Sequence, residues 1–246
     1  MLQFSIVEQV ILAVFLLSGI AFFLHHLLLR LKIVLKGKSD FSVDELPKRI
    51  IRVFDEVILH KKVVSGDRKS AGILHALVMY GFIFFGLITI NHFGMAFGFP
   101  IFSESFRHTY FLIFGAPWAI LCTIGILGLA YRRFVIKPEA LGKFSSTSAL
   151  VSVFIVTLMT TYLIDELHIL SGAAEKFNWW LHSGVIGGFL FLIPQSKHMH
   201  LVLSPFNIFL RPFEVPNHGA IPIDMEASEE ELDNLLLDLS RLSKDQ

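Results

Sequence analysis

The chain has 246 residues, of which 54% are hydrophobic and 25 are phenylalanine, and its formal net charge is zero. Its mean hydropathy of +0.64 is higher than a soluble domain of this length requires, so we expect a protein embedded in lipid, without a nucleic-acid partner. A lone cysteine, Cys122, excludes an iron–sulfur cluster held by this chain by itself, because such clusters normally need about four cysteine ligands.

Five apolar stretches approach the roughly 20 residues that a membrane-spanning helix requires. In chain order they are Ile6 to Leu29, Ile73 to Phe93, His108 to Tyr131, Thr147 to Ile164 and Trp179 to Leu203. The first lacks a preceding basic segment, so it is predicted to be a retained helix and not a cleaved signal peptide. The predicted fold class is an all-α integral membrane protein, with a five-helix bundle over residues 1–211.

Lysine and arginine are distributed unequally between the loops. Residues 30–72 carry eleven of them, whereas residues 94–107 and 165–178 carry one each. Four more follow the third helix: Arg132, Arg133, Lys137 and Lys143. The positive-inside rule therefore predicts an N-terminus outside, cytoplasmic basic loops, a cytoplasmic C-terminus and a multi-pass location in the cell (cytoplasmic) membrane.

Two segments outside the spans have helical patterns. Residues 43–64 alternate apolar and charged positions, as in a helix that lies on lipid headgroups or docks on a partner; an ordinary solvated helix is the alternative. Residues 212–246 form an acidic tail with a capping-box pattern at Ser228 and Glu231. A leucine stripe follows it and predicts a short amphipathic helix that packs on a cytoplasmic partner or on the chain's own loops.

Two histidines, His182 and His200, stand near the ends of the fifth stretch. Eighteen residues make five helical turns, so on a continuous helix both imidazoles lie on one face about 27 Å apart. Ligand-capable groups at such depth are normally kept for function. This placement predicts two stacked redox centres, with haem as the occupant.

Histidines that lie at the same depth in the membrane as His182 and His200 are the candidates to share a haem with them. His75 opens the second helix at its cytoplasmic end, level with His200, and the two are the predicted ligands of an inner haem b. His92, seventeen residues further on, lies level with His182 and is the candidate for an outer haem, although its side chain is rotated by about 100° from the direction of His75. His108 and His168 are alternatives at the same depth as His92.

The remaining polar residues have less specific interpretations. His60 and His218 are expected to be solvated loop residues, and His198 is expected to face headgroups, a haem propionate or a partner. Asp165, Glu166 and His168, opposite Arg107 and His108, either exchange protons with a quinone or are interfacial caps.

Residues 181–205 resemble the last transmembrane helix of the cytochrome b subunit of membrane-bound heterodisulfide reductase and of the gamma subunit of respiratory nitrate reductase. The matching features are Leu181-His182, the run Pro194-Gln195-Ser196-Lys197-His198-Met199-His200 and Ser204-Pro205. Further matches are Leu74-His75 with Tyr80-Gly81-Phe82, Tyr131-Arg132-Arg133 and Trp179-Trp180. The resemblance covers roughly residues 57–211.

This resemblance implies five helices, with haem b between the second and fifth. It implies electron transfer between a membrane carrier, a quinone or methanophenazine, and a cytoplasmic iron–sulfur subunit resembling the catalytic subunit of heterodisulfide reductase. His75 and His200 would hold the inner haem, and His182 would be one ligand of the outer haem. The nitrate reductase pattern places the other outer ligand at Phe85, a departure that leaves one or two haems open. A haem-free membrane anchor for a soluble oxidoreductase is the alternative.

Overall fold

The computed structural model describes residues 2–34, 45–65, 69–211 and 213, and their regular structure is all helical, without strands. Four helices in this part of the chain are long and apolar enough to cross a membrane. They are Ile6–Ile33, Lys69–Ala96, Glu104–Ile136 and Ser146–Glu166. The first four predicted spans are therefore confirmed as helices, each with slightly wider bounds. The predicted tail helix after Ser228 lies outside the described residues.

The helices are numbered in chain order. They are α1 (Ile6–Val34), α2 (Leu46–Val53), α3 (Lys61–Val64), α4 (Lys69–Ala96), α5 (Glu104–Tyr110), α6 (Ala116–Tyr131), α7 (Ser146–Glu166), α8 (Gly172–Leu192) and α9 (His200–Leu210). π-helical turns follow α2 at Phe54–Ile58, join α5 to α6 at Phe111–Gly115 and extend α6 at Arg132–Ile136.

The long helices pack in the order α4, α6, α7, α8 and α1. Glycines let α4 and α6 approach closely, since a Cβ on Gly125 would lie 2.8 Å from the Leu74 carbonyl oxygen. The buried core includes Ala119, Ile155 and Phe189, from α6, α7 and α8. The outer faces expose large apolar side chains such as Ile6, Leu17 and Ile124, which suits contact with lipid.

The prediction of one continuous helix from Trp179 to Leu203 is wrong. Helix α8 begins at Gly172 and ends at Leu192, and a turn separates it from α9. Pro194 has no N–H to continue the backbone hydrogen bonds, and the Ser196 hydroxyl accepts a hydrogen bond from the His198 N–H in a new 3₁₀ turn. His182 and His200 therefore do not share a helix face, and the argument for two centres stacked along one helix fails.

The amphipathic helix predicted over residues 43–64 is divided by His60, whose left-handed φ of 51° separates the π-helical turn from α3. This segment is fixed to the bundle at several points. The buried Arg49 side chain donates a 2.9 Å hydrogen bond to the Phe209 carbonyl at the end of α9. The Tyr80 hydroxyl of α4 donates one of 2.6 Å to the Ile58 carbonyl. These bonds attach α2 to the end of α9 and the π-helical turn to α4.

Candidate cofactor site

His75 from α4 and His200 from the start of α9, here the first histidine pair, have ring centres 6.0 Å apart. The His200 Nδ1 lies 2.8 Å from the Lys197 carbonyl oxygen. A carbonyl only accepts hydrogen bonds, so Nδ1 carries the proton and Nε2 keeps a free lone pair. An imidazole in this tautomer is ready to bind a metal through Nε2.

Both rings line a cavity of about 320 Å³ between α4, α6, α7, α8 and α9, here the first cavity. Its size lies at the lower end of the range of about 300–1,000 Å³ that is typical of ligand and cofactor sites. Apolar side chains form most of its wall, among them Val78, Phe82, Ile155 and Phe189. An apolar wall with two imidazoles suits a flat, largely apolar metal cofactor.

Three cationic side chains, Arg132, Arg133 and Lys197, also line the first cavity. Arg133 donates to the Leu141 and Lys143 carbonyls at 3.4 Å, while its buried Nε has no hydrogen-bond partner. Within the described residues none of the three forms an ion pair with a carboxylate. Beyond the end of α8, burial and then the nearby Arg133 lower the pKa of Lys197. This edge of the cavity therefore suits an anionic group.

These residues fit haem b. Two imidazoles that bind one metal ion from opposite sides, at metal–nitrogen distances of about 2 Å, have ring centres about 6 Å apart. The first histidine pair meets this condition. The cationic edge matches the two propionates of haem, and the His75 Nδ1 is a buried donor or acceptor that has no partner in the described structure.

His60 was expected to be solvated, and this prediction is wrong: only 6% of it is exposed. Its ring centre lies 5.7 Å from that of His75, and its Nδ1 lies 2.6 Å from the Val57 carbonyl oxygen. Its place in a polar segment between spans gives no sign of burial. That burial arises where α3 and the π-helical turn before it pack against α4.

His92 and His182, here the second histidine pair, are also brought together, with ring centres 5.0 Å apart and planes inclined by 57°. The His92 Nε2 lies 2.9 Å from the Ser183 hydroxyl, and the Trp179 ring covers one face of His92 at 4.7 Å. The Thr161 hydroxyl donates to the Thr157 carbonyl at 2.7 Å and so accepts from the His182 Nδ1, also at 2.7 Å.

The second histidine pair does not fit a haem. Its ring centres are too close for an ion between them, the His92 Nε2 is engaged by Ser183, and neither ring lines the first cavity or the one described next. The Asn178 amide adds a 2.9 Å hydrogen bond to the Thr161 carbonyl. The geometry favours a closed polar cluster that ties α4, α7 and α8 together.

A second cavity of about 240 Å³ lies between α4, α6, α7 and α8 and is lined by Gly81, Phe85, Cys122 and Met159 among others. Phe85, the position where the nitrate reductase pattern has a ligand, packs its ring on Tyr162 with centres 5.0 Å apart. The structure places no imidazole in the wall of this second cavity.

The alternative ligands lie elsewhere. His108 and His168 are exposed, at α5 and just after α7. Near them, the Arg107 guanidinium and the Glu166 carboxylate form an ion pair of 3.5 Å that joins α5 to α7, and the Glu166 side chain is 8% exposed. Across the described ranges, no group of three or more His, Cys, Asp or Glu residues is arranged to hold a metal ion by itself. Axial ligation of haem needs only two such residues.

Comparison with known proteins finds a relative in Bacillus subtilis (strain 168), the probable iron-sulfur-binding oxidoreductase FadF. It is 30% identical to this chain over an alignment of 217 positions, and the match covers 75% of the chain. The match covers only 30% of the length of the relative. No family model matches the chain, and no solved structure matches it.

Proposed function

We propose that this chain is a haem b-binding, electron-transfer membrane subunit of an oxidoreductase complex. The observation that carries the proposal is the first histidine pair, with ring centres 6.0 Å apart at the wall of an apolar cavity with a cationic edge. Similarity to a probable iron-sulfur-binding oxidoreductase supports a role in redox chemistry.

His75 and His200 would hold the haem iron, and Arg132, Arg133 and Lys197 would bind the propionates. When bound, haem b supplies a carrier that accepts and releases one electron. Phe82, Phe189 and their apolar neighbours exclude water from the cavity, and the Lys197 carbonyl holds the His200 ring in the tautomer that exposes Nε2. Since the second histidine pair does not fit, the proposal assigns one haem per chain.

The proposed partners follow from the resemblance and the relative. Electrons would pass between a membrane carrier, a quinone or methanophenazine, and a cytoplasmic iron–sulfur subunit. These 246 residues contain one cysteine, so clusters of the kind named for the relative would be held outside them. The Arg107–Glu166 pair is a candidate for proton exchange with the carrier, with a structural role as the alternative.

We include five membrane crossings in the proposal, with the N-terminus outside the cytoplasmic membrane and the C-terminus in the cytoplasm. Helix α8 has 21 residues, which is enough to cross. Its polar residues, such as Asn178 and Ser183, are buried against the bundle and therefore do not require contact with lipid. The basic residues near His75 and His200 support a cytoplasmic position for the first cavity.

The test is haem content. We expect the detergent-purified chain to contain one haem b in a pyridine haemochrome assay, and we expect His75→Ala and His200→Ala each to lose it. The exposed His108 provides the control, because His108→Ala removes an imidazole that lies outside the cavity and should retain the wild-type haem content.

Other outcomes have distinct meanings. A folded chain that has no Soret band would overturn the proposal and favour the haem-free membrane anchor. Two haems per chain, with one lost in His182→Ala, would overturn the assignment of a single haem. Retention of the haem in both His75→Ala and His200→Ala would show that the ligands lie elsewhere.

A further inference from the structure

We propose that His60 is a positioning residue for the haem ligand His75: its Nε2 accepts a hydrogen bond from the His75 Nδ1–H when His75 binds iron. This inference rests on the proposed function. It concerns a side chain beside His75 whose burial neither the spans nor the charge pattern predicts.

The hydrogen bond of His60 to the backbone determines which of its ring nitrogens is protonated. Its Nδ1 lies 2.6 Å from the Val57 carbonyl oxygen, which can only accept, so the proton of the neutral ring is on Nδ1. The His60 Nε2 is then an unprotonated acceptor that has no hydrogen-bond partner among the described residues.

The His75 Nδ1 is the matching donor. It is buried and has no hydrogen-bond partner within the described residues. A histidine that binds a metal through Nε2 carries its proton on Nδ1, and in most metal sites this second N–H donates to an acceptor that fixes the ring orientation. The His75 Nδ1 therefore lacks the hydrogen-bond acceptor that a ligating histidine usually has. The neighbouring His60 ring offers one at its Nε2.

The distance between the rings is close to what this bond requires. Two imidazoles joined by an N–H···N bond of about 2.9 Å have ring centres about 5 Å apart. The centres of His60 and His75 are 5.7 Å apart, and their planes are inclined by 25°. The rings are not hydrogen-bonded in this structure, and the proposed bond requires them to move closer together when His75 binds iron.

The turn that carries His60 is anchored to the helix that carries His75. Tyr80, five residues after His75, donates to the Ile58 carbonyl at 2.6 Å. Gly72, three residues before His75, lies against the Val63 carbonyl so closely that a Cβ there would overlap with it. His60 itself has φ of 51°, a left-handed conformation that is uncommon for residues other than glycine. The fold thus holds His60 beside His75 from both sides.

The expected effect is on the electronic state of His75. A hydrogen bond from Nδ1–H to His60 makes the ligand more basic and favours the more oxidised iron, so it lowers the midpoint potential of the haem. The His60 Nδ1–H in turn donates to the Val57 carbonyl, so the two hydrogen bonds would form a chain from His75 to Val57.

The test compares midpoint potentials, measured by redox titration of the haem band in the purified haem-loaded chain. We expect His60→Phe to retain the wild-type haem content and to shift the potential to a higher value. His60→Gln restores an acceptor oxygen near the position of Nε2, and we expect it to return the potential towards that of the wild type. His26→Phe is the control, because the His26 Nδ1 also hydrogen-bonds to a carbonyl of its own segment, that of Phe22, but on α1.

An unchanged potential in His60→Phe, with normal haem content, would overturn this inference and leave the proposed function intact. Absence of haem from the wild-type chain would overturn both. If His60→Phe loses the haem, His60→Gln decides: retention of the haem at the wild-type potential supports the acceptor role. Loss of haem in His60→Gln, with retention in His75→Ala, would show that His60 is itself the ligand.

Discussion

At the residue scale, the structure brings two pairs of histidines together in different surroundings. The first pair lines a cavity with cationic residues and includes a nitrogen without a partner. In the second pair, His92 is held by Ser183 and Trp179, and His182 is held by Thr161. Proximity of imidazoles is therefore insufficient to identify a metal site. Adjacent space distinguishes the two pairs, because only the first pair lines a cavity.

Removal of hydrogen bonds from the second pair should affect stability and leave haem content unchanged. Ser183→Ala leaves the buried His92 Nε2 without a partner, a loss that typically costs about 1–3 kcal/mol. We expect a lower midpoint of thermal unfolding in detergent and a wild-type haem-to-protein ratio. Thr123→Val is the matched control, because the Thr123 hydroxyl bonds only to Ala119 of its own helix. Loss of haem in Ser183→Ala would show that the second pair belongs to a haem site.

At the scale of the helices, the contact between α4 and α6 depends on residues without a side chain. Gly125 lies over the backbone of α4 at Leu74, and Gly81 lies against Cys122. Within the bilayer, where apolar side chains gain little from leaving lipid, this close packing is a main source of helix association. Because α4 carries His75, the same contact determines the shape of the first cavity.

Substitution by alanine should change the stability of the bundle differently at two glycines on these helices. A Cβ on Gly125 would lie 2.8 Å from the Leu74 carbonyl oxygen, and backbone cannot move aside easily. We expect Gly125→Ala to destabilise the bundle by about 1–3 kcal/mol, as overpacking usually does. Gly86 has no atom within 4 Å of the position of its Cβ, so Gly86→Ala should be neutral or stabilising by up to about 1 kcal/mol. Thermal unfolding of both variants in detergent measures the difference. Equal effects of the two would contradict the packing argument.

At the scale of the whole molecule, the proposed topology places the two ends of α8 on opposite sides of the membrane. We expect a membrane-impermeant maleimide to label Gln3→Cys and Ser171→Cys in right-side-out vesicles. Lys143→Cys and Gln195→Cys should be labelled only in inside-out vesicles. All four positions are exposed, and the native Cys122 is buried, so the unmodified chain is the control for background labelling. Labelling of Ser171→Cys and Gln195→Cys from the same side would contradict a fifth crossing.

The sequence alone determined that the chain is helical and located the four helices that are long and apolar enough to cross a membrane, because span length and apolar content are local properties. It also predicted that His75 and His200 lie at the same depth, by an argument that assumed one continuous helix, and the structure places their ring centres 6.0 Å apart. The break at Pro194, the burial of His60 and the enclosure of His92 by Ser183 and Trp179 were decided by the tertiary structure. These features depend on how helices cross and rotate against one another. Such contacts join residues far apart in the chain, and no periodicity within one helix encodes them.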